Sequence, residues 1–232
     1  SLNYIQRMSG IATETRKYQD AIVPYSAKIV DTRKTTPNFR AFEKYSVKIG
    51  GGALHRFNLS DCAMIKDNHI RLAGSLTNAV NKLRKNISHA HKIEVECDTL
   101  EQVKEAVDVK ADIIMLDNMS VETMKKAVEI INHQAIVEAS GNVNLSTVNA
   151  IASTGVDIIS SSAIVAKAPT LDLGFDMSGR FLTNVCNDSL IAFTALCKYR
   201  ALLLTIFPVT LSRKFANGSS FSSFSANRTR VL

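Results

Sequence analysis

A 21-residue rhythm constrains this chain more than any other feature. Glu96, Asp117 and Glu138 are spaced 21 residues apart, each near the end of a short apolar run that a helix-forming segment follows. These runs cover residues 93–97, 113–116 and 135–137, and residues 27–30, 63–65 and 156–159 read in the same way. Short runs apolar throughout predict strands buried on both faces, and strands alternating with helices predict a parallel sheet. Helix signals lie between the runs. Thr99 with Gln102 makes a capping-box pattern opening 100–109, Ser120 can cap 121–131, and Asn144 can cap 145–153 ahead of the stop at Gly155. The reading is an α/β fold. Polar residues at the C-terminal ends of successive strands are where a β/α barrel builds its active site. An open doubly wound sheet would present them similarly, so an incomplete TIM-like barrel is favoured over that alternative.

At the N-terminus, Leu2, Ile5, Met8, Ile11 and Ala12 follow helical spacing up to Pro24, which predicts a helix over 1–22. The chain opens inside this element, as a fragment would. Three segments are expected: a leading helix over 1–26, a catalytic barrel over 27–177, and an extra basic tail over 178–232 that is poorly ordered. Charge follows the same division. Residues 1–177 carry 21 Lys and Arg against 20 Asp and Glu, whereas residues 178–232 carry 7 against 1. Of the formal charge of +7, +6 therefore belongs to the tail, and the near-neutral body argues against nucleic-acid binding. The tail's apolar stretches, 190–197 and 201–207, are each too short to span a bilayer. Joined, they would carry two cations near the centre at about 2.5–3.5 kcal/mol each. Cys62, Cys97, Cys186 and Cys197 show no metal-ligand spacing and read as buried, reduced thiols. With no signal-peptide pattern at Ser1 to Arg7, a cytoplasmic setting is expected.

The chemistry concentrates where strands end. Asp31-Thr32-Arg33-Lys34-Thr35-Thr36-Pro37, Gly50-Gly51-Gly52-Ala53-Leu54-His55-Arg56 and Lys66-Asp67-Asn68-His69 set cations beside apolar runs. Arg33 and Arg56 offer planar forks for carboxylates, His55 adds a donor, and Lys34 and Lys66 suit phosphates. The competing reading pairs Arg33 and Lys66 with the nearby Asp31 and Asp67. Glu94 and Glu96 alternate along one strand face, and with Asp117 such carboxylates could hold a sugar diol or Mg2+. For Glu94 an internal salt-bridge network is the favoured reading, and Glu138 is open between the two. Ser140-Gly141-Asn142 follows a strand and reads as a phosphate cradle, reinforced by Ser161-Ser162-Ala163 after the next one.

These residues resemble a known family. DTRKTTP, EKY, GGG-x-x-HR, KDNH, IEVE, LDNMS and EASGN, opening on LNYIQRMSGIAT, look like the quinolinate phosphoribosyltransferases from about Leu2 to Met177. The resemblance implies a pentosyltransferase of NAD biosynthesis. Quinolinate and phosphoribosyl pyrophosphate would give nicotinate mononucleotide, pyrophosphate and CO2, with Mg2+ as cofactor and a homodimer or higher homo-oligomer as the assembly. By motif position Arg33, His55 and Arg56 would hold the quinolinate carboxylates. Lys34 and Lys66 would face the substrate anions and pyrophosphate, and Glu96 and Asp117 the ribose hydroxyls or the metal. Ser140, Gly141, Ser161, Ser162 and Ala163 would hold the 5′-phosphate. The family places a further domain before this helix, which from the partner subunit covers the barrel mouth and brings an Arg. Many members carry Gly and His where this chain has Ser162 and Ala166. The alternative reading is accordingly a catalytically incompetent fragment that binds anionic ligands or a full-length partner.

Overall fold

The computed structural model describes residues 1–174, so the segment 178–232, Cys186 and Cys197 lie outside the described residues. In chain order the elements are α1 (Leu2–Ala21), β1 (Lys28–Val30), α2 (Arg40–Ile49), β2 (Ala63–Ile65), α3 (Asp67–Ala73), α4 (Leu76–Arg84) and β3 (Ile93–Cys97). There follow α5 (Leu100–Asp108), β4 (Ile113–Asp117), α6 (Val121–Ile131), β5 (Ile136–Ser140), α7 (Val148–Ala152), β6 (Ile158–Ser160) and α8 (Ala163–Ala166).

All six strands are parallel, in the order β1-β6-β5-β4-β3-β2. That order runs in sequence around the sheet and returns β6 beside β1, as in a barrel left unclosed between β1 and β2. A doubly wound sheet would begin near its middle instead. Ala53 reaches into the gap, pairing in parallel with Val30, and its amide donates to the Ile29 carbonyl at 2.8 Å.

The strands differ from the expectation in one respect. They are not apolar on both faces. Val95, Cys97, Ile114, Leu116, Ala139 and Ile159 are fully buried in one hydrophobic core with Val103, Ala106, Ala127 and Ile131 of the helices. Alternate positions carry Glu94, Glu96, Asp117, Glu138, Ser140 and Ser160 on the other face. The barrel interior is therefore polar and leads into a cleft.

Caps form where the residues allow them. Thr99 accepts from the Gln102 amide while the Gln102 side chain accepts from Asp98 and Thr99, and Ser120 caps α6 through the Thr123 amide. The expected helix over 145–153 begins later, at Val148, because Asn144 Oδ1 accepts from the Ser146 and Thr147 amides and holds a turn first. α2, α3 and α4 carry no such advance signal apart from Ser75, which caps α4.

α2 ties the leading helix to the β1 loop. Glu43, fully buried, accepts from Arg7 Nη2 at 3.0 Å, Arg7 Nε at 3.3 Å, and both the hydroxyl and the amide of Thr36 at 2.8 Å. Arg7 continues to the Val165 and Ala168 carbonyls at 2.8 and 3.0 Å, joining α1 to the end of α8. Hydrogen bonds to a charged acceptor contribute more than neutral ones, so Glu43→Gln should lower unfolding free energy by about 1.5–3 kcal/mol. Urea denaturation checks this, and a loss below about 0.5 kcal/mol would show that the latch is incidental.

Candidate active site

At the C-terminal ends of the strands lies a cleft of about 620 Å3. Its walls include Arg33, Lys34, His55, Arg56, Lys66, Glu96, Asp117, Ser140, Gly141, Ser161, Ser162 and Ala163, so the residues given a substrate or metal role by motif position meet in one place, while Glu94 and Glu138 do not line it. Thr32, Met64, Met115, Asn118, Asn142, Val143, Ser160 and Lys167 complete the lining. Cations dominate one wall. Their arrangement depends on partners that the sequence left open.

Asp31 does not pair with Arg33. It is fully buried at the end of β1, where Lys44 Nζ stands 2.8 Å from Oδ1 and 2.7 Å from Oδ2, and the His55 amide donates to Oδ1 at 2.9 Å. Burial pushes the Asp31 carboxyl up from its ordinary range, against the pull of Lys44 and the His55 amide. Lys66 likewise passes over Asp67, which faces Arg71, and contacts Glu96 across the sheet. Arg33 is held by its carbonyl, which accepts from Thr35 and Arg40, while its buried Nε meets no acceptor. Arg56 donates from Nη1 to the Cys62 carbonyl at 2.7 Å and lies with Nη2 3.4 Å from the Met64 sulfur.

His55 is more committed than its motif suggests. Its Nδ1 accepts from the Arg56 amide at 2.7 Å, and its Nε2 lies 3.3 Å from Glu138 and 3.5 Å from Glu94. Neither ring nitrogen is left over, so contact with a ligand carboxylate through nitrogen requires one of these partners to yield. Glu94 and Glu138 are both buried, and Glu94 Oε1 and Oε2 and Glu138 Oε1 meet no well-aligned donor. Register sets part of this arrangement: Glu94 lies one same-face step below Glu96 on β3. Glu138 pairs with Met115, whereas Asp117 pairs with Ser140, one step nearer the cleft. Equal spacing in sequence thus conceals unequal height in the sheet.

On the opposite wall the small residues form a backbone concavity. Gly141 has φ +90° and Asn142 has φ +51°. A Cβ at Gly141 would collide with the Asn118 side chain. Asn118 Nδ2 donates to Asp117 at 2.7 Å, and its Oδ1 accepts from Asn142 at 3.0 Å. The amides of Gly141, Asn142 and Val143 have no acceptor among the described residues, which suits an anion. Ser161 and Ala163 are less available than expected. The Ser161 hydroxyl donates to the Val143 carbonyl at 3.3 Å and accepts from the Ala163 amide at 3.2 Å, so both groups brace the loop. Ser162 lines the cleft, and Ala166 is an exposed residue of α8.

This combination of cation wall, carboxylates and amide cradle agrees with the comparisons. The family model described as "Quinolinate phosphoribosyl transferase, C-terminal domain" matches residues 11–176. The chain belongs to that family. A probable nicotinate-nucleotide pyrophosphorylase (carboxylating) of Synechocystis sp. is 51% identical over 180 residues, covering 76% of this chain and 61% of that protein. The crystal structure of nicotinate-nucleotide pyrophosphorylase from Ehrlichia chaffeensis superposes with a TM-score of 0.73 at 48% identity, covering 75% of this chain and 64% of that one. For the Francisella tularensis enzyme the values are 0.72 and 45%, with 74% and 61% covered. The chain therefore spans about three fifths of the length of these family members.

Two acidic groups in the family member could hold a cation. His55, Glu94 and Glu138 bring one ligand atom each within 4.8 Å of one another. Glu96 and Asp117 face the cleft with oxygen donors alone. Hard Mg2+ prefers one or two carboxylates plus substrate oxygens, so the second pair fits it and the histidine-containing group does not. Among the cysteines, Cys62 is half-buried rather than buried and Cys97 is buried. Burial, with Glu94 beside Cys62 and Asp98 beside Cys97, pushes the thiols up to about 11 and about 12.

The buried group predicts a pH dependence. Burial works against a charged His55, but the Glu138 and Glu94 carboxylates beside its Nε2 outweigh it and raise His55 from its usual 6.5 to about 10. Burial also raises the Glu94 carboxyl, so folding retains a proton in this group at neutral pH, and because Nδ1 accepts from the Arg56 amide that proton is held on the Nε2–Glu94 side. A raised folded-state value means stability that is complete below about 6.5 and is lost as pH rises through about 10. Chemical denaturation across that window should show stability falling in the wild type. His55→Gln should remove the slope, and the same slope in both proteins would place the proton elsewhere.

Proposed function

We propose that the cleft carries out phosphoribosyl transfer from phosphoribosyl pyrophosphate to quinolinate with decarboxylation, giving nicotinate mononucleotide, pyrophosphate and CO2 in NAD biosynthesis. The observation that carries this reading is the convergence of Arg33, Lys34, Arg56, Lys66, Glu96, Asp117 and the Ser140-Gly141-Asn142 cradle on one cleft. Two strongly anionic substrates need that sequence of groups from wall to wall.

Arg56, with Arg33 beside it, presents a fork to the two quinolinate carboxylates, and the pyridine nitrogen is the nucleophile. No protein nucleophile is required. Lys34, Lys66 and the additional Lys167 neutralise the departing pyrophosphate, while the Gly141, Asn142 and Val143 amides receive the 5′-phosphate. Glu96 and Asp117 face the ribose, where carboxylates stabilise positive charge developing at the anomeric carbon. They would also hold Mg2+, which when bound supplies countercharge to the pyrophosphate oxygens. Lys66 must then leave Glu96, and its partial exposure, 44%, permits that movement. After transfer, the cationic ring labilises the neighbouring carboxylate, and the site's share is orientation of both substrates.

His55 acts in this proposal chiefly through the Arg56 backbone, and Ser161 and Ala163 through the shape of the cradle. A homo-oligomer is part of the proposal, and an apolar groove of about 340 Å3 between β2, α3 and α4, beside the 88% exposed Leu72, offers it a surface. No described helix is long and apolar enough to cross a membrane. A cytoplasmic, reducing setting is proposed on the free thiols of Cys62 and Cys97.

Release of CO2 from carboxyl-labelled quinolinate tests the function. Release that requires phosphoribosyl pyrophosphate and Mg2+ together supports it, and binding of both substrates without release supports the incompetent-fragment reading instead. Arg56→Ala should weaken quinolinate binding by about 1.5–3 kcal/mol, the loss expected of a charge-assisted contact. Calorimetry should find phosphoribosyl pyrophosphate affinity nearly unchanged. Equal losses for both would remove Arg56 from the carboxylate site.

A further inference from the structure

Lys44 is 2% exposed, and neither it nor Asp31 lines the cleft. Burying an ammonium and a carboxylate costs more in desolvation than their attraction usually returns, and apolar replacements of similar volume are often at least as stable. This pair holds more than its own two charges. Lys44 Nζ donates to Asp31 and also to the His55 carbonyl at 2.9 Å, and Asp31 Oδ1 accepts from the His55 amide at 2.9 Å. The peptide joining His55 to Arg56 is consequently fixed at both ends. Its oxygen is gripped by Lys44 and its N–H by His55 Nδ1 at 2.7 Å. That peptide plane sets the direction in which the Arg56 side chain leaves the backbone. Asp31 also stands two residues before Arg33, so one ion pair connects both arginine-bearing segments.

We propose that Lys44, acting with Asp31, is a positioning residue that fixes the His55–Arg56 peptide and thereby sets the carboxylate-binding geometry of Arg56. The proposal rests on the quinolinate reading above for the identity of the ligand, but not for the clamp itself. It assigns Lys44 no contact with substrate. The geometry is specific to an ammonium on a four-carbon stem. An Arg at this place would keep the charge but bring a planar fork where a compact ammonium now serves both Asp31 Oδ1 and the His55 carbonyl.

The test is calorimetry of quinolinate and, separately, phosphoribosyl pyrophosphate with the full chain, its Lys44→Arg variant, and the double variant Asp31→Asn with Lys44→Met. The double variant leaves no unpaired buried charge, which guards against simple misfolding. Displacement of a binding group by a fraction of its contact distance weakens its ligand selectively, so quinolinate affinity should fall about tenfold to a hundredfold while phosphoribosyl pyrophosphate affinity stays within about twofold. Equal loss for both ligands, unchanged quinolinate affinity in a folded variant, or failure of both variants to fold would each overturn the positioning role. If the wild type binds no quinolinate, the ligand reading fails separately. Amide hydrogen exchange then decides the clamp. Protection lost at residues 55 and 56 but kept in β3 to β5 sustains it, and unchanged protection at 55 and 56 overturns it.

Discussion

Beneath the cleft, an ammonium and a carboxylate sit in contact with almost no access to water, and each also holds a backbone group of His55. Lys44 comes from α2 and Asp31 from the end of β1, so the contact lies on the side of the barrel where, among the described residues, β1 and β2 are not hydrogen-bonded to each other. There the sheet cannot position the chain. Side-chain charge takes over that task. Glu43, the neighbouring residue on α2, holds Thr36 and Arg7 in the same manner. Two consecutive buried charges thus anchor the β1 loop, the 53–56 segment and the leading helix.

A cation wall built this way has a physical rationale. Arg33, Lys34, Arg56 and Lys66 would repel one another if left flexible, and each would lose much side-chain entropy on meeting an anion. Fixing their backbones beforehand lowers that entropic cost. Carboxylates deeper in the barrel, Glu94 and Glu138, offset part of the repulsion through His55 without lining the cleft themselves. On the far wall no side-chain charge is needed. Positive φ at Gly141 and Asn142 turns successive amides toward the same space, and Asn118 locks that turn.

Much of this could be read from residues alone, and the limits have physical causes. Strand positions were legible because apolar runs alternate with capped helices. Thr99, Ser120 and Asn144 all cap or hold turns, although Asn144 delays its helix by three residues. The polar inner face is legible at β3, where Glu94 and Glu96 alternate with Ile93, Val95 and Cys97, but not at β4 and β5, where a single acid stands in each otherwise apolar run. The composition of the cleft was legible, since short motifs at strand ends converge whenever strands are parallel. Partners were not. Asp31 was weighed against Arg33, which is near in sequence, whereas Lys44 lies on a helix whose existence had no capping signal. Nor does sequence reveal register, which places Asp117 above Glu138 despite their even spacing.

The buried pair and the cleft's arginine should act as one unit. A double-mutant cycle measures that directly: quinolinate affinity in the wild type, Lys44→Arg, Arg56→Ala and the combination. If Lys44 works only by aiming Arg56, removing Arg56 makes the Lys44 change nearly silent, and the coupling should be about 1 kcal/mol or more. Additive effects, within about 0.3–0.5 kcal/mol, would contradict it and reduce the buried pair to an element of stability alone.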